Sequence, residues 1–296
     1  MTKRVEGIIP PLTTPFTADG QVYVKGLREL VDFQCAAGAH GLFICGTYGS
    51  GPIMTLAQRK QVHEVVVDQA AGRLTVIAHV GTPSTAQSVE LAQHAQSVGA
   101  DAVASIPPYY HSHDELDVAA YMTALVGAVD LPVFIYNNPK TSGFNVTPKF
   151  LRQLAGLGVA GVKDSNFRYI DFTHMVLAME DAPGFQFVVG TEGFALAGWM
   201  AGAQGCVSGL ANVFPELMVE LWEAYKAGAY DKAASLQMRV NKARQILHIP
   251  SSTNAACYAV LKARGVDGGF PIAPILWVTA ESEKKMLAAY AEMGLL

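Results

Sequence analysis

The stretch Gly158-Val159-Ala160-Gly161-Val162-Lys163-Asp164-Ser165-Asn166 decides the fold. Residues 159–162 form a short apolar run between glycines, too short for a helix, and read as a buried strand. Lys163 then stands at the C-terminal end of that strand, where parallel α/β sheets and barrels place their ligands. Burial penalises an ammonium far more than a neutral amine, so a lysine kept dry there gives up its proton readily. The free amine is a nucleophile toward carbonyl carbon. The same stretch also fits a solvated lysine paired with Asp164, and the rest of the chain has to separate the two readings.

Outward from this strand, short apolar runs alternate with helical periodicities. Strands are expected at residues 5–9, 41–45, 74–79, 102–106 and 131–136 upstream, and at 185–189 and 205–208 downstream. Helices fill the gaps. One covers 24–37; others open on capping boxes at Thr55/Gln58, Ser84/Gln87 and Ser112/Glu115. Another enters at Thr147-Pro148, and two more cover about 170–179 and 194–200. Strands that are apolar throughout are parallel strands covered on both faces by helices. Eight such repeats in roughly 210 residues predict a closed (β/α)8 TIM barrel of the α/β class rather than an open doubly wound sheet. Gly46, Gly49 and Gly51 lack the spacing of a dinucleotide fingerprint, and no Walker sequence occurs. After residue 214 only helices are expected, at about 215–227, 229–248, 253–264 and 278–293. The predicted organisation is a catalytic barrel over 1–227 with a C-terminal helical appendage, 228–296, packed against it without a flexible linker.

Composition narrows the function. With 51% hydrophobic and 16% charged residues, the 296-residue chain can build a large core. A formal net charge of -4 without a basic run gives no footprint for nucleic acid. No apolar stretch reaches the length of a membrane span, and the first residues carry no apolar signal core. Cys35, Cys45, Cys206 and Cys257 are far apart in apolar settings, as expected of reduced thiols in a cytoplasmic protein. The eight histidines form no HExxH pattern, and His111 and His113 lack partners at metal-ligand spacing. No metal-ligand pattern therefore stands out in the sequence.

In a barrel, the strand ends form the candidate site. They carry Thr47 and Tyr48, His79, Tyr109 and Tyr110, Tyr136, Lys163 with Ser165, Gly190 with Glu192, and Val207 with Ser208. One amine thus shares a ring with several hydroxyls, an imidazole and a carboxylate. A phenol near the amine could shuttle protons while an imine forms and breaks.

These residues resemble the dihydrodipicolinate synthase and N-acetylneuraminate lyase superfamily of pyruvate-dependent class I aldolases. The resemblance spans nearly the whole chain. It rests on Gly46-Thr47-Tyr48-Gly49, Pro108-Tyr109-Tyr110, Tyr136-Asn137-Asn138-Pro139 with Gly143, and Gly161-Val162-Lys163-Asp164, in that order and spacing. It implies that Lys163 forms a Schiff base with the keto carbon of pyruvate and that Tyr136 is the proton relay. It further implies that Thr47 links Tyr136 to Tyr110 of a neighbouring subunit, in a homotetramer built as a dimer of dimers. The backbone at Tyr48 would help hold the pyruvate carboxylate. The covalent lysine imine with the keto acid would replace any cofactor.

Departures from the family pattern narrow the substrate. The synthase branch carries an arginine where this chain has Thr141, so a bidentate carboxylate clamp is missing there. The sialate lyase branch shares Ala78-His79-Val80-Gly81, yet of its acidic pair only Glu192 remains, and its sugar-binding serine is shifted to Ser208. The glycine-rich Gly46–Pro52 stretch and Val162-Lys163-Asp164-Ser165-Asn166 look closest to the 2-keto-3-deoxygluconate aldolase branch. The expected activity is an aldolase or lyase joining or parting pyruvate and an aldehyde. The rivals are dihydrodipicolinate synthase, a Schiff-base dehydratase of a deoxy keto acid, and a barrel that has lost its chemistry.

Overall fold

The computed structural model describes residues 5–296; residues 1–4, the start of the stretch read as lacking a signal core, lie outside that range. In chain order the elements begin with β1 (Gly7–Ile9), α1 (Val24–Ala36), β2 (Gly41–Ile44), α2 (Leu56–Ala70), β3 (Thr75–His79) and α3 (Thr85–Ser97). Next come β4 (Ala102–Ser105), α4 (Glu115–Val126), β5 (Val133–Asn137), a short α5 (Pro139–Ser142) and α6 (Pro148–Gly156). Then follow β6 (Gly161–Asp164), α7 (Tyr169–Leu177), β7 (Gln186–Val189), α8 (Ala195–Met200), β8 (Gly205–Val207) and α9 (Pro215–Lys226). The tail consists of α10 (Tyr230–Leu247), α11 (Thr253–Ala263) and α12 (Ala280–Glu292).

All eight strands are parallel and neighbour one another in sequence order, with β1 beside β8. His40 N donates to Ile8 O at 2.9 Å, Phe43 N to Pro10 O at 2.9 Å and Leu12 N to Phe43 O at 3.0 Å. These bonds join the β1 and β2 segments and close the (β/α)8 barrel that the sequence predicts. Successive strand residues face opposite sides, which gives two cores. Ile9, Phe43, Ile77, Ala104, Phe134, Tyr136 and Val188 pack inside the barrel. Ile8, Leu42, Ile44, Ile135, Val162 and Val189 face the helices in a second cluster.

Local chemistry accounts for the helix starts. Thr55 and Gln58 form a reciprocal capping box at 3.0 and 3.2 Å. Ser84 accepts from Gln87 N at 3.5 Å, a looser cap. The expected Ser112/Glu115 box is not what starts α4. Asp114 Oδ1 instead takes the N–H groups of Leu116 and Asp117 at 2.9 Å each. A carboxylate at the N-cap also suits the helix dipole.

Strand β6 begins two residues later than expected and runs through Asp164. Val159 N is taken by Leu154 O at 3.1 Å, closing α6, while the ladder with β5 continues to Tyr136↔Lys163 and Asn137↔Asp164. Lys163 therefore lies inside a strand rather than after one. Its side chain faces the barrel interior, and that of Asp164 faces outward.

Helix α10 crosses the strand ends on its way from α9. Gln237 Nε2 donates to Glu192 O at 2.8 Å and its Oε1 accepts from Leu196 N at 2.9 Å, which ties this helix to the segment after β7. Tyr290 of α12 donates to Ala243 O at 2.9 Å and stacks edge-on against Phe214.

Candidate active site

Lys163 is buried, with 5% of its surface exposed. Its Nζ lies 3.5 Å from the centroid of the Tyr136 ring and 4.1 Å from that of Phe43. It makes no pair with Asp164, whose Oδ1 accepts from Asn137 Nδ2 at 2.7 Å on the other face of the sheet. The solvated-pair reading of the sequence is thereby set aside. Burial pulls the Lys163 amine below the ordinary lysine value, and Tyr136 partly opposes this. Burial alone would raise the Tyr136 phenol. The Lys163 charge and hydrogen bonds from Thr47, Lys163 and Ser165 outweigh it and lower that phenol below its usual value. Asn138 Nδ2 also donates to the Tyr136 hydroxyl at 3.0 Å. Amine and phenol are thus electrostatically coupled, each making the other's charged form less costly.

The pair faces a cavity of about 230 Å³ at the C-terminal ends of the strands. Thr47, Tyr48, Thr141, Ser165, Gly190, Glu192 and Val207, all singled out in the sequence, line it together with Tyr136 and Lys163. Two backbone approaches shape its walls. A Cβ at Gly190 would lie 1.9 Å from Ser165 Oγ, and one at Gly209 would lie 2.4 Å from the Tyr48 hydroxyl. Glycine at 209 therefore makes room for the Tyr48 ring. That ring is half-buried, and the Tyr48 carbonyl is held by Asn254 Nδ2 from α11.

The remaining expected residues take other places. Ser208 does not line the cavity; its Oγ donates to Glu192 Oε2 at 3.1 Å. Glu192 Oε2 also accepts from Gly209 N at 3.1 Å, and its Oε1 pairs with Arg244 Nε at 3.2 Å. His79 lies behind Tyr136, its ring edge-on to the phenol at 5.9 Å. It lines a second, mostly apolar cavity of about 180 Å³ with Tyr109 and Ile106. His79 Nδ1 meets Cys45 O at 3.1 Å, and its Nε2 accepts from Ile106 N at 3.3 Å. Both ring nitrogens are engaged in a neutral imidazole. Burial, Arg59 and Lys163 hold its pKa well below the ordinary value. Thr141 Oγ1 donates back to Asn138 O at 3.2 Å. Tyr110 does not reach this site; it is 91% exposed, at φ 82°.

Sequence reasoning missed Asn138, Phe167, Gly209, Arg244, His248 and Thr253, which also line the cavity. Arg244 brings a guanidinium into a site that carries none at position 141. Among the described residues no group of three or more His, Cys, Asp or Glu is placed to hold a metal ion, and no helix is long and apolar enough to cross a membrane.

A buried amine beside a phenol at the strand ends of a closed barrel is an arrangement that suits attack by lysine on carbonyl carbon. Residues 4–292 match the model of the dihydrodipicolinate synthetase family, and the chain belongs to that family. It is 34% identical to a 4-hydroxy-tetrahydrodipicolinate synthase of Methylobacterium radiotolerans, over 99% of this chain and 97% of that one. It is 31% identical to the probable 2-dehydro-3-deoxy-D-pentonate aldolase YjhH of Escherichia coli, over 99% of each. Among solved structures it superposes on YagE of E. coli K12, a dihydrodipicolinic acid synthase family protein in complex with pyruvate, with a TM-score of 0.96. That alignment has 26% identity and covers 99% of this chain and 100% of the other.

Proposed function

We propose that Lys163 forms an imine with pyruvate and that the enzyme uses it to make or break a carbon–carbon bond to an aldehyde. The protein is a class I pyruvate-dependent aldolase, as befits its family. The observation that carries the residue assignment is the buried Lys163 amine on the Tyr136 ring. The neutral amine adds to C2 of pyruvate, and the C2 oxygen leaves as water after protons pass through the Tyr136 hydroxyl. The protonated imine then acts as an electron sink. Loss of a C3 proton gives an enamine, whose C3 attacks the aldehyde carbon while the aldehyde oxygen takes a proton from the same relay. Hydrolysis frees Lys163, and the reverse sequence cleaves the keto acid. In this reading the backbone at Tyr48 receives the pyruvate carboxylate and the Thr47 hydroxyl steadies the phenol, which the position of both residues in the cavity lining supports.

Thr141 spends its hydroxyl on Asn138 O, which supports an aldolase of deoxy keto acids over the synthase. The exposure of Tyr110 supports a homotetramer, a dimer of dimers in which that ring completes the partner's relay. The four free cysteines support a cytoplasmic location.

The test is borohydride reduction with pyruvate, followed by peptide mass mapping. An irreversible adduct on the peptide carrying Lys163 is expected. No adduct with pyruvate or any other 2-keto acid overturns the assignment.

A further inference from the structure

We propose that Asn138 is a positioning residue for the Tyr136 relay: its amide N–H fixes the phenol oxygen, steers the phenolic proton away from itself, and holds that oxygen while the proton is gone. This rests on the aldolase reading above and adds a residue to its proton path.

The first observation is the contact. Asn138 Nδ2 donates to the Tyr136 hydroxyl at 3.0 Å, and both residues line the cavity beside Lys163. Lys163 and the hydroxyls of Thr47 and Ser165 stand around the same oxygen. A neutral amine and a hydroxyl can each donate or accept, and a hydroxyl rotates freely. An amide N–H only donates. Asn138 is therefore the fixed donor of the four. A phenol oxygen that accepts from it keeps its own proton for Lys163, Thr47 or Ser165.

The second observation is that neighbouring asparagines divide their work. Asn137 uses both ends of its amide for the fold. Its Nδ2 donates to Asp164 Oδ1 at 2.7 Å, and its Oδ1 accepts from Val146 N at 3.0 Å. Asn138 is also buried, yet among the described residues the bond to Tyr136 is the only one its side chain makes. Its backbone carries the structural load instead. Thr141 N and Ser142 N donate to Asn138 O at 3.1 Å each, Ser142 Oγ at 3.1 Å and Thr141 Oγ1 at 3.2 Å. Gly143 closes the turn at φ 73°, with its N–H on Pro139 O at 3.0 Å. Four donors on one carbonyl hold the residue rigidly at the mouth of β5. The hydroxyl of Thr141 thus serves the placement of Asn138.

The third argument is electrostatic. When the phenol passes its proton to the departing C2 oxygen or to the aldehyde oxygen, a negative charge appears on a buried atom. Lys163 is then tied up in the adduct or imine. The Asn138 N–H stays in place, and a hydrogen bond to a charged oxygen is stronger than one to a neutral oxygen. The bond tightens as the proton moves, which lowers the barrier rather than the binding energy of pyruvate. Asn138 itself neither gains nor loses a proton.

The experiment follows imine formation with pyruvate alone, so it does not depend on which aldehyde the enzyme takes. The intact protein is compared with Asn138→Leu and Asn138→Asp by borohydride trapping after short and long mixing times and by melting curves. Asn138→Leu is expected to reach the same final extent of trapping with the same half-saturating pyruvate concentration. Its rate of imine formation should fall about tenfold or more. Asn138→Asp should be slower still at neutral pH, because a carboxylate accepts and repels the phenolate. Part of that loss should be recovered as pH falls into the carboxyl range, where the protonated acid donates again. A purely structural role would leave the ratio of variant to parent rates independent of pH. Parent-like rates in Asn138→Leu overturn the proposal. Faster trapping in Asn138→Asp than in Asn138→Leu at neutral pH also overturns it, since the phenol would then be donating to residue 138. Loss of final extent and of thermal midpoint together in both variants assigns Asn138 to folding and overturns it too. If the parent protein itself traps no pyruvate, the aldolase reading fails instead.

Discussion

The Lys163 amine and the Tyr136 ring stand in register on adjacent strands, with Nζ 3.5 Å from the ring centroid. Register makes this contact a property of the sheet and not of side-chain chance. A parallel ladder fixes both Cα positions, and strand alternation turns both side chains inward. Removing the hydroxyl while keeping the ring should leave the packing intact and remove the proton relay. Tyr136→Phe is expected to lower kcat by about 10²-fold or more, with an unchanged thermal midpoint. Steady-state rates and a melting curve check it; near-full activity would take Tyr136 out of the relay.

The same variant has a pH signature. Tyr136 favours the charged form of Lys163, through its own charge and a hydrogen bond, while burial favours the neutral form. Deleting the hydroxyl leaves burial nearly unopposed, so the amine loses its proton at lower pH than in the parent protein. The rate of borohydride trapping rises with pH as the free amine appears. In Tyr136→Phe that rise should lie at lower pH, and in the parent it should already lie below the range of an ordinary lysine. A shift of the variant to higher pH would contradict the coupling.

Gly209 and Tyr48 form a second pair with a checkable consequence. An added Cβ at 209 would meet the Tyr48 hydroxyl at 2.4 Å and its Cζ at 2.6 Å. Asn254 holds the Tyr48 carbonyl and so fixes the backbone that carries the ring. Gly209→Ala should cost about 1–3 kcal/mol of stability and raise the KM for pyruvate. Tyr48→Thr should cancel much of the stability loss in the double variant, a non-additivity that a thermodynamic cycle measures.

How much of this was legible in the sequence depends on which element carries each residue. The strands are short, apolar and bounded by glycine, so the barrel and the residues at its strand ends could be read directly. Lys163, Tyr136, Thr47 and Ser165 were found in that way. Arg244 and His248 were not, because they belong to α10 and its C-cap. There the polar residues between Leu236, Val240, Ala243 and Leu247 read as an ordinary solvated face. One signal was present: Gln237, Arg244 and His248 recur at spacings of seven and four, a polar line along one side of the helix. Only the tertiary crossing of α10 over the strand ends turns that line toward the cavity. Asp114 was missed for a local reason. It directly precedes Glu115, and either Ser112 or Asp114 could open that helix by sequence alone.

Asp164, next to Lys163 but on the outer face of the sheet, should shape the pH dependence of stability. Its Oδ1 accepts from Asn137, while Oδ2 is buried with no partner. Burial raises its carboxyl from the ordinary 3.8 to about 6, against the pull of Asn137 and a backbone hydrogen bond at Asn166. Because the folded value is raised, the native protein keeps a proton between about pH 4 and 6 that the unfolded chain has released. Stability from this group is therefore greatest at low pH and falls as pH rises through that window. The loss levels off above it, at about 3 kcal/mol for a shift of that size. Asp164→Asn keeps the acceptor for Asn137 and cannot ionise. Against the parent, its thermal midpoint should decline less between pH 4.5 and 7, and identical pH slopes for the two proteins would show that Asp164 ionises without penalty.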